Sequence, residues 1–310
     1  MFFSFWNYLT SPSLPGTALA ITPSYLALVE LSKRGGALTA QKVGVQDLPE
    51  GIIQASVTEP NILNEGAFID QLRTIADKAG FSKKLSLSVS LPEGSVKSIV
   101  VTLENEPKTR DELKQMLEWK AVRSFNLKQG EARLKHHRIS GADGTKRYFV
   151  SAVGEAVAAQ YERVFKDIGW QAGAIMPQHL GEAQWLLRSE VDETEDQALV
   201  SVHNSGFVAL ILRNQEPLLV REVSCSSEEC EDELFRFMTF YRDRLSGTNK
   251  IRNLLLVAES PVQANLSKAV TAALEYTPHK LSPGAVGLNL DSNAPFLHLA
   301  AASGLASMAY

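Results

Sequence analysis

A chain of 310 residues is long enough to bury one large core or to form two lobes of ordinary domain size. Its hydrophobic content of 45% and charged content of 21% are typical of a globular protein and exclude a disordered one. A net charge of −4 argues against general binding to nucleic acid phosphates. The only two cysteines, Cys225 and Cys230, are too few for a disulfide framework and fit a reducing cytoplasm.

The N-terminal segment "MFFSFWNYLT" is aromatic, but it has no positively charged region and no adequate apolar region, so it is not a signal peptide. The simpler interpretation is a terminal segment packed against the core. The alternative is an interfacial anchor whose side chains touch lipid headgroups, through Phe2, Phe3, Phe5 and Trp6. The absence of Lys and Arg from the segment favours the first interpretation. No stretch of the sequence approaches the roughly 18 apolar residues of a membrane-spanning helix.

The first part of the chain alternates strand and helix patterns. Residues 17–22 and 25–31 are apolar strand candidates, and the glycines of "SKRGG" predict a turn after them. The stretch "NEGAFIDQLRTIADKAG" has apolar residues at helical spacing and ends at Gly80. Residues 85–91, "LSLSVSL", alternate with period two, which predicts a strand with one solvated face.

Residues 94–175 have the pattern of a small inserted α+β unit. "VKSIVVTL" is a strand, and Thr109 with Glu112 forms a capping box before a helical face that contains Leu113, Met116, Leu117 and Ala121. "ARLKHHRIS" and "KRYFVSAVG" flank "GADGT" as a hairpin, and "EAVAAQYERVFKDIG" is a second helix. The predicted order is strand, helix, strand, strand, helix, strand.

The acidic run "RSEVDETEDQ", 188–197, predicts a solvated hinge between two halves. The second half then repeats the order of the first: three strands joined by tight turns, a helix, a buried strand "NLLLVAES" and another helix. The closing stretch "FLHLAAASGLASMAY" is a helix of small residues suited to close packing.

This repeated order resembles the actin-like ATPase fold, in which two similar lobes face each other across a nucleotide cleft. Over nearly the whole chain from about residue 17, the sequence resembles the PilM-type proteins, cytoplasmic actin-like proteins of type IV pilus assembly. The resemblance is carried by "ALAITPSYLALVELSKRGGALTAQKVGVQDLPEGII", "DELKQMLEWKAVRSFNL", "RYFVSAVGEAVAAQYERVFKDIGWQAGAIMPQ" and the closing helix. The implied fold is α/β, a two-lobed actin-like (FtsA/PilM-like) fold with a small inserted α+β subdomain.

The resemblance assigns four regions. Residues 1–16 are the aromatic segment, 17–93 with 176–190 the first lobe, 94–175 the inserted subdomain, and 191–310 the second lobe.

The nucleotide loops that this fold normally carries are degraded. In the first loop of this fold, an acid holds the hydrated Mg²⁺, and a glycine lets backbone N–H groups approach the phosphates. The position of the acid aligns with Ala20 and that of the glycine with Thr22. The second loop aligns with Ser201 and His203, and the paired glycines of the third with Ala258 and Glu259. The resemblance therefore implies a pseudo-ATPase, with no ATP or Mg²⁺ as cofactor and no catalytic residue. The alternative is an active actin-like ATPase that uses unusual residues.

Other patterns carry little chemistry. His136 and His137 are adjacent on a strand and point to opposite faces, so they do not share a metal. The remaining histidines lack metal-ligand spacing, and His298 on the apolar closing helix is interpreted as a core residue.

By resemblance, the protein binds the N-terminal cytoplasmic peptide of a PilN-like inner-membrane protein in a groove beside the inserted unit. Residues 113–127 and 97–103 are the candidates for one wall, in particular Trp119, Phe125, Leu127 and Val100. For Trp119, core packing is the alternative. The implied role is that of an adaptor, cytoplasmic and peripheral to the inner membrane, that contacts other type IV pilus platform proteins but no nucleic acid. A type II secretion platform domain is a further alternative.

Overall fold

The computed structural model describes residues 14–105, 107–140, 145–258, 260–290 and 295–310. The segment with Phe2, Phe3, Phe5 and Trp6, the turn "GADG" and Glu259 lie outside these residues. The described chain forms three sheets whose strands are β1 (Thr17–Ile21), β2 (Tyr25–Arg34), β3 (Ala37–Asp47), β4 (Ser86–Leu91), β5 (Val96–Leu103), β6 (Ala132–Ile139), β7 (Lys146–Gly154), β8 (Gln171–Pro177), β9 (Glu195–His203), β10 (Gly206–Arg213), β11 (Glu216–Ser224), β12 (Lys250–Val257), β13 (His279–Lys280) and β14 (Leu288–Asn289).

The helices pack on the faces of these sheets. They are α1 (Glu65–Lys78), α2 (Arg110–Phe125), α3 (Glu155–Asp167), α4 (Gln178–Leu187), α5 (Cys230–Phe240), α6 (Ser260–Leu274) and α7 (Phe296–Ser307). A π-helical turn, Tyr241–Leu245, continues α5, and a 3₁₀ turn, Pro283–Val286, precedes β14.

The two large sheets have the same internal order. One runs β14-β3-β2-β1-β4-β8 and the other β11-β10-β9-β12-β13. In each sheet, three strands form an antiparallel meander, β1-β2-β3 or β9-β10-β11. The first strand of each meander also pairs with a parallel strand, which is followed by a second parallel strand: β4 and β8 beside β1, and β12 and β13 beside β9. The repeated plan predicted from the sequence is therefore present as a duplicated sheet topology. The third sheet, β5-β7-β6, is antiparallel and lies within the predicted insertion.

Local sequence explains where the helices begin. Asn64 caps α1 by accepting a hydrogen bond from the backbone N–H of Ala67 at 3.0 Å. The predicted cap of α2 at Thr109 is confirmed, because the hydroxyl of Thr109 accepts from the N–H of Glu112 at 3.1 Å. The carboxylate of Glu112 in turn accepts from the N–H of Lys108 at 2.6 Å. Helix α2 therefore begins at the predicted signal, whereas the cap of α1 at Asn64 was not predicted.

Helices α4 and α7 are in close backbone contact. A Cβ atom at Gly304 would lie 1.9 Å from the carbonyl oxygen of Gly181, and one at Gly181 would lie 2.6 Å from that of Ala301. The indole N–H of Trp185 donates to the carbonyl of Ala300 at 2.9 Å. The small residues of the closing helix thus permit backbone-to-backbone approach, as their pattern predicts.

The sheets divide the chain differently from the predicted regions at two places. Helix α3 and strand β8, assigned to the insertion 94–175, belong to the first sheet, because β8 pairs with β4 and Gln160 exchanges hydrogen bonds with the backbone of Ile62. Strand β14 and helix α7, assigned to the second lobe 191–310, also pack on the first sheet. The reason is that helical or strand periodicity shows which face is buried but not which sheet covers it.

Two polar segments are more buried than their patterns predict. Strand β4 was expected to have a solvated face, but it lies between β1 and β8 with Ser88 and Ser90 fully buried beneath α7. The acidic run 188–197 was expected to be a solvated linker, but its last residues begin β9. Asp196 there is 0% exposed and accepts hydrogen bonds from Arg213, Tyr241 and Asn249.

The cysteines were expected to be reduced, but Cys225 and Cys230 form a disulfide. Strand β11 ends at Ser224 and α5 begins at Cys230, and the short connection brings their Cα atoms to 5.6 Å. A single local disulfide is compatible with so few cysteines.

Candidate functional site

The first degraded loop, between β1 and β2, is closed by its own side chain. The hydroxyl of Thr22 accepts from the backbone N–H of Tyr25 at 2.8 Å and of Ser24 at 3.3 Å. It also donates to the carbonyl of Tyr25 at 2.9 Å. These hydrogen bonds occupy backbone N–H groups of the loop that the resemblance aligns with the first phosphate loop.

The position aligned with the Mg²⁺-binding acid lies in the core. Ala20 is 1% exposed and belongs to one continuous apolar cluster that includes residues of both large sheets and of α4 and α7. Across this cluster, Val29 of β2 and Leu210 of β10 are both fully buried. The two lobes therefore meet through packed apolar side chains beneath the first loop.

The second loop joins β9 to β10. Ser201 is fully buried, and His203 is half-buried with its Nδ1 3.1 Å from the hydroxyl of Ser205. Burial lowers the pKa of His203, so its ring is favoured as the neutral form near pH 7. Gly206 has φ +141°, and a Cβ there would lie 1.9 Å from the carbonyl oxygen of Val223, so the loop is pressed against the end of β11.

The third loop follows β12. Ala258 is buried and packs in the core of the second sheet, whereas Glu259 lies outside the described residues. Ala20, Thr22, Ser201 and Ala258 are thus all buried.

A buried group of charged residues lies near the second loop, and sequence reasoning missed it. The carboxylate of Glu93 accepts from the backbone N–H of His179 at 2.6 Å and lies 2.9 Å from its Nδ1. The other ring nitrogen of His179 is 3.1 Å from the hydroxyl of Ser98 on β5. This pair joins the β4–β5 connection, helix α4 and the third sheet.

The contact between Glu93 and His179 favours the charged form of both residues. Burial opposes charge on both residues, but the attraction and hydrogen bonds between them raise the pKa of His179 and lower that of Glu93. Near them, burial raises the pKa of Glu182 to about 7, and the charge of Glu93 adds to this effect. No sequence signal marks Glu93 or Glu182, because they come together only through the packing of α4.

The third sheet connects to the second lobe along β11. The ammonium of Lys97 lies 2.5 Å from the carboxylate of Glu222, and a guanidinium nitrogen of Arg147 donates to the carbonyl of Leu218 at 2.6 Å. Ile139 and Phe149 of this sheet also enter the apolar cluster between the lobes. The insertion is therefore packed against the second lobe as well as joined to the first.

The four partner-binding candidates do not form one surface. Trp119 is 54% exposed on α2, with the Arg123 guanidinium 5.4 Å from its ring centroid. Phe125 is partly buried against the core of the insertion, and Leu127 is buried. Val100 lies on the opposite face of the third sheet, where it packs against the interlobe cluster.

This separation follows from strand alternation. Val101 and Leu103 of β5 point towards α2, so Val100 points away from it. Trp119 is solvent-exposed, and the core-packing interpretation does not apply to it.

The histidine interpretations have mixed outcomes. His298 is half-buried, not enclosed, and its ring lies 4.5 Å from that of Tyr25. His136 and His137 alternate along β6 as expected. Within the described ranges, no group of three or more His, Cys, Asp or Glu side chains could hold a metal ion. None of the helices in the described part of the chain is long and apolar enough to cross a membrane.

Comparison with solved structures identifies the architecture. A structure described as a PilM-PilN type IV pilus biogenesis complex matches with a TM-score of 0.77 and 16% identity, covering 96% of this chain and 99% of that chain. An ethanolamine utilization protein EutJ from Carboxydothermus hydrogenoformans matches with a TM-score of 0.48 and 8% identity, covering 94% of this chain and 88% of that chain. The cytoplasmic domain of EpsL, from the type II secretion system of Vibrio cholerae, matches with a TM-score of 0.43 and 10% identity, covering 94% of this chain and 94% of that chain.

No protein-family model matches the sequence, and comparison with curated proteins finds no similar sequence. The duplicated sheet order and the match over nearly all of both chains agree with the predicted architecture. The protein has the two-lobed, actin-like α/β fold of PilM, with an inserted α+β unit.

Proposed function

We propose that the protein is a PilM-like adaptor of a type IV pilus assembly platform that binds the N-terminal cytoplasmic peptide of a PilN-like membrane protein. The observation that carries this proposal is the match of 96% of this chain to 99% of a chain in a structure described as a PilM-PilN type IV pilus biogenesis complex. In this proposal the protein acts in the cytoplasm, peripheral to the inner membrane, next to other platform proteins.

The state of the nucleotide loops supports an adaptor in place of an ATPase. Ala20 has no carboxylate for Mg²⁺ and lies in the interlobe core, and Thr22 occupies the N–H donors of the first loop. Ser201 and Ala258 are enclosed by their own sheets. Binding ATP would require these packed contacts to open, and neither Ala20 nor Ser201 has a carboxylate that could hold Mg²⁺ to offset the cost. We therefore propose a pseudo-ATPase.

The exposed face of α2 is the proposed contact for the peptide. Trp119 offers a large apolar ring to solvent, and the Arg123 guanidinium lies over this ring, so the pair combines apolar surface with a positive charge. Exposed tryptophan and arginine are the residue types that dominate interface energies. A peptide with an apolar side chain and a nearby carboxylate would match this surface.

The proposal is tested by calorimetric titration of the full chain with a synthetic N-terminal peptide of a PilN-like protein. Binding is expected, and Trp119→Ala is expected to weaken it by tenfold or more, about 1.4 kcal/mol, as for an interface hot spot. Phe240→Ala is the matched control, because Phe240 is a similarly exposed aromatic residue on the second lobe. Equal affinities of the two variants would refute the assignment to α2, and absence of peptide binding would refute the adaptor function.

A further inference from the structure

The disulfide between Cys225 and Cys230 joins two elements of the second lobe beside the degraded second loop. It connects the residue after β11 to the first residue of α5. The backbone N–H of Cys225 donates to the carbonyl of Ser205 at 3.1 Å, so the same residue is also hydrogen-bonded to the β9–β10 turn. The covalent state of this cysteine pair therefore affects a loop, a strand end and a helix start together.

The two sulfur positions differ in accessibility. Cys230 is buried at the start of the eleven-residue helix α5, whereas Cys225 is half-buried. Cys225 is consequently the residue that an external thiol or disulfide can reach, and Cys230 is placed to attack the sulfur of Cys225 from within.

We propose that Cys225 and Cys230 are a reversible oxidation site that exchanges with low-molecular-weight thiols and disulfides such as glutathione. The proposal does not depend on the adaptor function. A permanent disulfide is rare in a reducing cytoplasm, where bonds of this kind usually respond to redox state. If the protein acts in that compartment, the pair changes between dithiol and disulfide with the glutathione pool.

The exchange balances as two thiol–disulfide steps. The thiolate of Cys225 attacks one sulfur of oxidised glutathione, forming a mixed disulfide and releasing one glutathione thiolate, which takes up the proton lost by Cys225. The thiolate of Cys230 then attacks the sulfur of Cys225, forming the intramolecular bond and releasing the second glutathione, which takes up the second proton. Two protein thiols are oxidised by two electrons, and one glutathione disulfide is reduced to two thiols.

The experiment equilibrates the full chain in buffers with different ratios of reduced to oxidised glutathione, alkylates free thiols and measures the intact mass. The expected result is a single transition from two free thiols in excess reduced glutathione to none when oxidised glutathione is in excess. A pair that stays bonded in excess reduced glutathione, or stays free in excess oxidised glutathione, would overturn the proposal.

Two single variants test the order of attack. Cys230→Ser is expected to accumulate the glutathione adduct on Cys225, because the residue that resolves it is missing. Cys225→Ser is expected to form its adduct several-fold more slowly, because Cys230 is buried. Equal rates of adduct formation in the two variants would contradict the assigned roles.

Hydrogen exchange tests the structural consequence. Reduction is expected to accelerate exchange at residues 203–206 and 226–233 several-fold, while residues 65–78 of α1 in the first lobe serve as the internal control. Unchanged exchange at both residues 203–206 and residues 226–233 would show that the disulfide does not restrict local opening of these segments.

Discussion

Replacing Asp196 with alanine is expected to destabilise the second lobe more than any change at a neighbouring acidic residue. The carboxylate of Asp196 accepts from Arg213 at 2.8 and 2.6 Å, from the Tyr241 hydroxyl at 2.6 Å and from the Asn249 amide at 3.0 Å. It thereby holds β9, β10 and the π-helical turn to the start of β12. Removing it leaves three donors without their shared acceptor.

The size of the effect follows from burial. Removing one partner of a buried ion pair typically costs about 3–5 kcal/mol. The Arg213 side chain is 28% exposed and can recover some hydration, whereas the Tyr241 side chain is enclosed in the core. We therefore expect Asp196→Ala to lower the free energy of unfolding by about 3 kcal/mol.

The assay is equilibrium unfolding in urea, followed by far-ultraviolet circular dichroism. Asp192→Ala is the matched control, since Asp192 lies in the same acidic run but is exposed, and its effect is expected within about 0.5 kcal/mol. A loss of less than 1 kcal/mol for Asp196→Ala, or equal losses for the two variants, would refute the reasoning.

Three further predictions concern other parts of the molecule. Gly304→Ala is expected to lower the melting temperature, because its Cβ would lie 1.9 Å from the carbonyl oxygen of Gly181. Gly284→Ala is the control and is expected to be neutral, because a Cβ there would meet no atom within 4 Å. Equal melting temperatures for the two variants would contradict the close helix contact. Burial raises the pKa of Glu182 to about 7, so the folded state binds a proton that the unfolded state releases, and this contribution to stability is lost as pH rises from about 4.5 to about 7. Glu182→Gln is consequently expected to gain stability relative to the unmodified chain between pH 5 and pH 8 in urea unfolding, and a constant difference across this range would count against the buried neutral carboxyl. Trp119→Ala is expected to change the free energy of unfolding by less than about 1 kcal/mol, because the side chain is 54% exposed, so a larger loss would mean that its effect on peptide binding is structural.

Much of the element order could be predicted from the sequence because it depends on local signals. The cap at Thr109, the stop at Gly80 and the apolar face of α1 act within a few residues, and the structure has these helices where they are expected. The second half of the chain repeats the order of strands and helices of the first half. This repeat was sufficient to predict the two lobes, because the two halves fold into sheets of the same topology.

The remaining features depend on contacts distant in sequence. The serines of β4 have the pattern of a solvated strand face and are buried because α7, more than 200 residues later, covers them. Asp196 resembles its exposed neighbours in sequence, but its pairing with Arg213 depends on the register of β9 and β10. The Glu93–His179 pair likewise depends on where α4 packs, so no local pattern identifies it.

In the candidate site, too, some features could be predicted from local sequence and others depend on contacts distant in sequence. Ala20 and Thr22 could be recognised as lacking the chemistry of a phosphate loop, but the use of the loop N–H groups by Thr22 is visible only in three dimensions. Trp119 and Val100 were grouped because the resemblance places both of their elements beside the peptide groove, but the alternation of β5 places them on opposite faces of the third sheet.

The central claim is that the protein recognises a peptide and has no working nucleotide site. The most direct measurement is calorimetric titration of the full chain with Mg-ATP, followed in the same cell by the N-terminal peptide of a PilN-like protein. The account predicts no heat of binding from Mg-ATP and saturable binding of the peptide. Saturable binding of Mg-ATP would contradict the account, because it would require the packed loops at Ala20, Thr22 and Ser201 to open and grip phosphate.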